Sequence, residues 1–254
     1  MTTDSRKPDK RLGLGYGSAW HLLNCLNGHR EDFNAIVARQ LQASALSWLG
    51  APESQAKQPS STGRRILDGE WKRIKFIPDS KIQNLYKAFW PTRGWQQHWD
   101  AIGKATFSGG HEWLLIEAKS HTGEIKAGGT KAKEIGGRPQ IRSAFRETLQ
   151  ALGHNEESST TFAENWLAGY YQYGNRLATL HFLGKHGIPA HLVFLYFCGD
   201  KFPDCSICPA NAGEWKVTLD KVSHGLGLHG ASEMETRVHN VFVDVTCGQI
   251  ALAG

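Results

Sequence analysis

The chain has 254 residues, 40% of them apolar and 21% charged, and lysine plus arginine outnumber aspartate plus glutamate 29 to 24 for a net charge of +5. Such a chain can bury a full core as one domain over residues 1–254, and its mild basic excess permits nucleic-acid binding without requiring it. No run reaches the roughly 18 apolar residues of a membrane span, and residues 1–11 are polar and basic, without the apolar centre of a signal peptide, so a cytoplasmic protein with no membrane partner is expected.

Residues 1–11 read as disordered. Beyond Gly15 and Gly17, Ser18 suits the start of a helix reaching about Leu26, which Asn27-Gly28 ends. Glu31-Asp32 places acid at the positive end of a second helix carrying Phe33, Ile36, Val37, Leu41 and Trp48, with Gly50 as its stop. Residues 51–64, rich in Pro, Ser, Gln and Gly, read as a loop or linker. Residues 66–77 alternate basic and apolar side chains as a strand does, and Pro78-Asp79 opens a polar, loop-like segment. Trp90, Trp95 and Trp99 approach Asp100, after which residues 99–104 and 112–119 make a hairpin around Ser108-Gly109-Gly110. A polar loop over 120–137 leads to a helix over 139–152 with Ile141, Phe145, Leu149 and Leu152 inward. The longest helix spans 163–185, its stripe formed by Trp166, Tyr170, Tyr173, Leu177 and Leu180. Strands over 191–198 and 238–246 close the chain.

Five scattered cysteines do not suggest a disulfide framework. Cys205-Ser206-Ile207-Cys208 has zinc-knuckle spacing with Cys198 close by, yet no fourth ligand is near; buried thiols are the alternative.

Trp113-Leu114-Leu115-Ile116 is apolar on both strand faces and runs into Glu117-Ala118-Lys119. Side chains alternate along a strand, so Glu117 and Lys119 share a face, and the hairpin brings Asp100 near Glu117. Two charges closing a buried strand are costly unless something compensates their desolvation, and a divalent cation would do so for the carboxylate. The same acid-x-Lys spacing occurs at Glu70-Trp71-Lys72, Asp79-Ser80-Lys81, Glu124-Ile125-Lys126 and Glu214-Trp215-Lys216; only Glu117 closes an apolar run with an aspartate one hairpin upstream.

Asp100, Glu117 and Lys119 resemble the signature of the PD-(D/E)XK nuclease superfamily, over about residues 97–197. The resemblance implies an α/β fold with a restriction-endonuclease-like core, a mixed central β-sheet flanked by helices in α-β-β-β-α-β order with one extra helix. It implies Mg²⁺, with Mn²⁺ as substitute, held by Asp100, Glu117 and the Ala118 carbonyl, and Lys119 positioning or deprotonating the attacking water. It further implies a DNA endonuclease leaving a 5′-phosphate, and often a homodimer. RecB-like nucleases carry a glutamine and a tyrosine four apart on the helix after the lysine strand. Gln172 resembles that glutamine, as a catalytic-site residue, and Arg176 stands in the tyrosine slot as a phosphate contact. Lys126, Lys131, Lys133, Arg138, Arg142 and Arg146 form the candidate nucleic-acid-binding segment. Glu31 is the candidate for the acid that some relatives carry on the first core helix, and His111 and His121 flank the strand.

Each reading has a plainer counterpart. The trio could be a salt-bridged strand end, Gln172 and Arg176 a surface pair, Glu31 a helix-terminal charge, and the basic run a solvated face. The whole could be an inactive nucleic-acid-binding module or a partner subunit in a defence or repair assembly, or an enzyme acting on a small phosphorylated metabolite. No nucleophile elbow, Walker loop or dinucleotide glycine pattern is present.

Overall fold

The computed structural model describes residues 15–50, 71–92, 97–126, 128–154, 162–203, 207–228, 230 and 232–246. The disorder read for residues 1–11 and the linker at 51–64 lie outside them, as do Trp95 and Cys205.

Helix α1 spans Ser18–Gly28 and α2 spans Arg30–Leu41. The expected continuation of α2 to Gly50 is corrected. Gln42 turns into the left-handed region at φ 58° and strand β1 follows at Ala45–Trp48. The Trp48 indole returns to the helix it left, donating to Asn34 Oδ1 at 2.7 Å, and its ring stacks on Phe33.

The strand expected over 66–77 is also corrected. Of its described residues, 71–77, only β2, Trp71–Lys72, is extended; from Arg73, at φ 53°, the chain turns and buries Ile74, Phe76 and Ile77. Pro78-Asp79 opens a helix rather than a loop: Asp79 Oδ1 accepts from the backbone N–H of Lys81 and Ile82, capping α3 at Ser80–Phe89.

Strand β3, His98–Trp99, pairs with β2 as a small ribbon. Strands β4, Ala101–Phe107, and β5, Gly110–Lys119, form the expected hairpin, with Ala101 opposite Ile116 and Phe107 opposite Gly110. After a 3₁₀ turn at Thr122–Glu124 comes α4, Gly137–Ala151, with Ile141 and Phe145 buried as expected. The single helix expected over 163–185 divides at Tyr170. A wide π-type stretch, Phe162–Gly169, precedes α5, Tyr171–Lys185. Strand β6 spans Ala190–Cys198, α6 spans Ala212–Leu226 and β7 spans Val238–Asp244.

The five-stranded sheet runs β1-β4-β5-β6-β7, antiparallel as far as β5 and parallel thereafter. It is the expected mixed sheet flanked by helices, although α3, α6 and the β2–β3 ribbon exceed the expected element order. One face packs Leu114, Ile116, Ala118, Val193 and Leu195 with Leu22, Leu26, Phe33 and Val37 of α1 and α2. The other packs Ile102, Leu115, Leu192 and Phe194 with side chains from α3, α4, α5 and α6. The central strands are therefore apolar on both faces, and the polar chemistry collects where they end. No helix is long and apolar enough to cross a membrane among the described residues.

Candidate functional site

At the end of β5 the apolar run stops and Glu117 and Lys119 project to the face of Leu115. Both are almost wholly buried, 4% and 5% exposed. Asp100 lies between β3 and β4. Its N–H donates to the Ile116 carbonyl at 3.1 Å, and the hairpin register sets it across from Glu117 on the same face. Asp100 Oδ2 accepts the Ala118 N–H at 2.7 Å, tying the aspartate to the residue between the other two.

Helix α5 completes the cluster. Gln172 and Arg176, four residues apart, face β5 together. Lys119 Nζ donates to Glu117 Oε1 at 2.6 Å and to Gln172 Oε1 at 3.1 Å. Arg176 donates through Nε and Nη2 to Glu117 Oε2, at 2.8 and 2.5 Å. Two carboxylates and two cations thus share one buried pocket.

Their protonation follows from that balance. Burial alone would raise the Glu117 carboxyl, but Arg176 and Lys119 outweigh it and hold the group below its ordinary value. Burial would likewise lower the Lys119 ammonium, and Glu117, Asp100 and Glu124 together lift it instead. Asp100 goes the other way. Burial, then the Glu117 charge, push its carboxyl up to about 7 against the pull of Lys119 and Arg176. Asp100 is the member of the cluster with the least cationic compensation.

The remaining sequence candidates separate. Arg176, read as a phosphate contact, is 5% exposed and points into the cluster, because α5 packs that face on β3 and β5. Glu31 is exposed in the first turn of α2. His111 bonds Thr106 at the far end of the hairpin, whereas His121 lies two residues beyond Lys119 with its ring against Phe202. Lys126, Lys131, Lys133 and Arg146 are exposed, and the half-buried Arg138 and Arg142 both pair with Glu134, at 3.2 and 2.9 Å. This basic segment passes beside the cluster: the Thr130 N–H donates to the Leu167 carbonyl and the Thr130 side chain bonds Tyr171, the neighbour of Gln172. Cys198 is buried and its thiol is pushed up to about 11, first by burial.

Two acidic residues that sequence reasoning passed over brace the strand ends. Glu124 accepts from Ser120 N at 2.6 Å and from Ser18 Oγ at 2.9 Å, joining the end of β5 to α1. Asp200, just past β6, lies 2.9 Å from His21 Nε2 and accepts from Gly17 N at 2.9 Å. Asp200 carried a readable signal, a charge directly after an apolar strand run, as at Glu117.

No family model, curated protein or solved structure matches the chain.

Proposed function

We propose that the protein is a metal-dependent phosphodiesterase of the PD-(D/E)XK type acting on nucleic acid, with DNA as the substrate and Mg²⁺, or Mn²⁺ in its place, as cofactor. One observation carries the reading: Asp100, just before β4, and Glu117 of β5 share a face at the sheet's end with Lys119 bonded to Glu117. The donor set suits a hard cation. Asp100 Oδ1 accepts no hydrogen bond among the described residues, and Glu117 Oε1 accepts only that of Lys119, leaving an oxygen lone pair on each carboxylate. Mg²⁺ needs few protein carboxylates and keeps several waters, so Asp100, Glu117 and the Ala118 carbonyl would hold it.

Bound there, the ion would polarise the phosphodiester and lower the pKa of a bound water. The chain's own residues do the rest. The Lys119 ammonium, held charged by its carboxylate neighbours, donates hydrogen bonds; it orients the attacking water and meets oxyanion charge rather than removing a proton. Gln172, bonded to Lys119, fixes the direction of that ammonium. Exposed Lys126, Lys131 and Lys133 lie on the segment beside the cluster, where a polyanion would approach.

A second reading has its own observation. Lys119 and Arg176 already occupy both Glu117 oxygens, as they would in an inactive nucleic-acid-binding module whose strand end is neutralised internally. Calorimetric titration with Mn²⁺ separates the two. The nuclease reading expects binding heats in the wild type that Asp100→Ala abolishes; equal, negligible heats in both proteins favour the module.

A further inference from the structure

Every side of the Arg176 guanidinium is engaged. Besides its fork onto Glu117 Oε2, Nη2 donates to the His98 carbonyl at 2.6 Å and Nη1 to Asn175 Oδ1 at 2.7 Å. Its plane also lies over Trp99, 4.8 Å from the ring centroid, within cation–π range. Strand β3 and helix α5 thus grip the group from two sides. Arginine cannot shed its proton in a protein, so this is a permanent positive charge at a fixed place.

The charge count limits what else can enter. Asp100 and Glu117, when ionised, are matched by Lys119 and Arg176. One divalent ion joins a neutral cluster; a second would set six positive charges against two carboxylates within a few ångströms. Two-ion phosphodiesterases hold their ions about 3.5–4 Å apart. Here Oε2, the Glu117 oxygen that Lys119 leaves open and such an ion would need, accepts two bonds from Arg176. Among the described residues no group of three or more His, Cys, Asp or Glu is placed to hold a metal ion, and Glu124, the next acid near Lys119, is bonded to Ser120 N and Ser18 Oγ.

We infer that Arg176 takes the place of a second divalent ion: it is a positioning residue that fixes Glu117, limits the site to a single metal ion, and supplies the other positive charge of the cluster. This rests on Asp100 and Glu117 being the metal carboxylates.

The test is Mn²⁺ stoichiometry and affinity by calorimetry on the wild type, Arg176→Lys and Arg176→Met, with metal-free thermal unfolding as the folding control. The wild type binds one ion per chain, Arg176→Lys still binds one, and Arg176→Met binds two ions or binds one at least tenfold more tightly. Two ions in the wild type overturn the inference even if Arg176→Met does not fold. A folded Arg176→Met that binds one ion with wild-type affinity also overturns it, while leaving the nuclease reading standing provided Asp100→Ala still abolishes binding. No binding by the wild type removes the metal reading itself, and this inference with it.

Discussion

The Asp100 carboxylate accepts the backbone N–H of Ala118 at 2.7 Å, so the residue between Glu117 and Lys119 is fastened to the aspartate of the neighbouring strand. The hairpin is thereby clamped by a side chain at the end that carries Glu117 and Lys119. Any shift of register between β4 and β5 would break this bond together with the Asp100–Glu117 juxtaposition, because a one-residue slip reverses the face of every side chain.

Asp100 makes the metal-free protein sensitive to pH. Its folded carboxyl is raised from the ordinary 3.8 to about 7, so between these values the folded state binds more protons than the unfolded state. Stability from this group is therefore present at low pH and lost as pH rises through 7. Asp100→Asn should raise the metal-free melting temperature at pH 8 and flatten its dependence over pH 4–7. Mn²⁺ should stabilise the wild type at pH 8 and leave Asp100→Asn unchanged. Parallel melting curves for the two proteins across this range would show that Asp100 ionises freely.

Lys119→Ala separates chemistry from folding. Glu117 would keep its Arg176 partner, so the loss should be about 1–3 kcal/mol, that of a broken charged hydrogen bond, rather than the 3–5 kcal/mol of a stranded buried charge. Cleavage should fall at least about 100-fold while Mn²⁺ binding persists. Urea unfolding, calorimetry and a plasmid assay read the three quantities, and a variant that unfolds and is not rescued by Mn²⁺ would make Lys119 a structural partner.

The basic segment should carry the salt dependence of DNA binding. Neutralising Lys126, Lys131 and Lys133 together should weaken binding and reduce the slope of log K against log salt by about 2–3, near 0.9 for each phosphate that a lysine no longer neutralises. Arg138 and Arg142, both tied to Glu134, should contribute less. An unchanged slope would return the segment to a solvated surface.

Gly103 lies opposite Trp48 of β1, with no room for a side chain. A Cβ there would lie 2.7 Å from the Ser47 carbonyl oxygen and 3.0 Å from the Trp48 ring. Gly103→Ala should cost about 1–3 kcal/mol by overpacking, measured by chemical denaturation. A neutral result would mean that β1 does not sit on β4 as described.

The hairpin and the strands β5 and β6 were legible because each carries an unambiguous local mark, Ser108-Gly109-Gly110 in one case and doubly apolar runs in the other. Strand β1 was not. Leu41 and Trp48 lie seven apart and fit the helical period, and no Gly or Pro separates them from α2; only tertiary pairing with β4 draws the segment into a strand. Helix α6 did carry a readable start, since Asn211 Oδ1 accepts the Glu214 N–H and Glu214 Oε2 reaches back to the Ala210 N–H. At the site, Gln172 and Arg176 were placed on one face by their spacing. That Arg176 turns inward to Glu117, 59 residues away, depends on how α5 packs across the sheet, which no local pattern encodes.

The most direct test of the central claim is cleavage of plasmid, linear duplex and single-stranded DNA by the purified protein, in Mg²⁺ or Mn²⁺ against a chelator, with Lys119→Ala prepared in parallel. A nuclease of this type gives metal-dependent hydrolysis leaving 5′-phosphate ends, absent with chelator and reduced at least about 100-fold in the variant. Intact DNA in every wild-type reaction, or cleavage equal in wild type and Lys119→Ala, would contradict the claim.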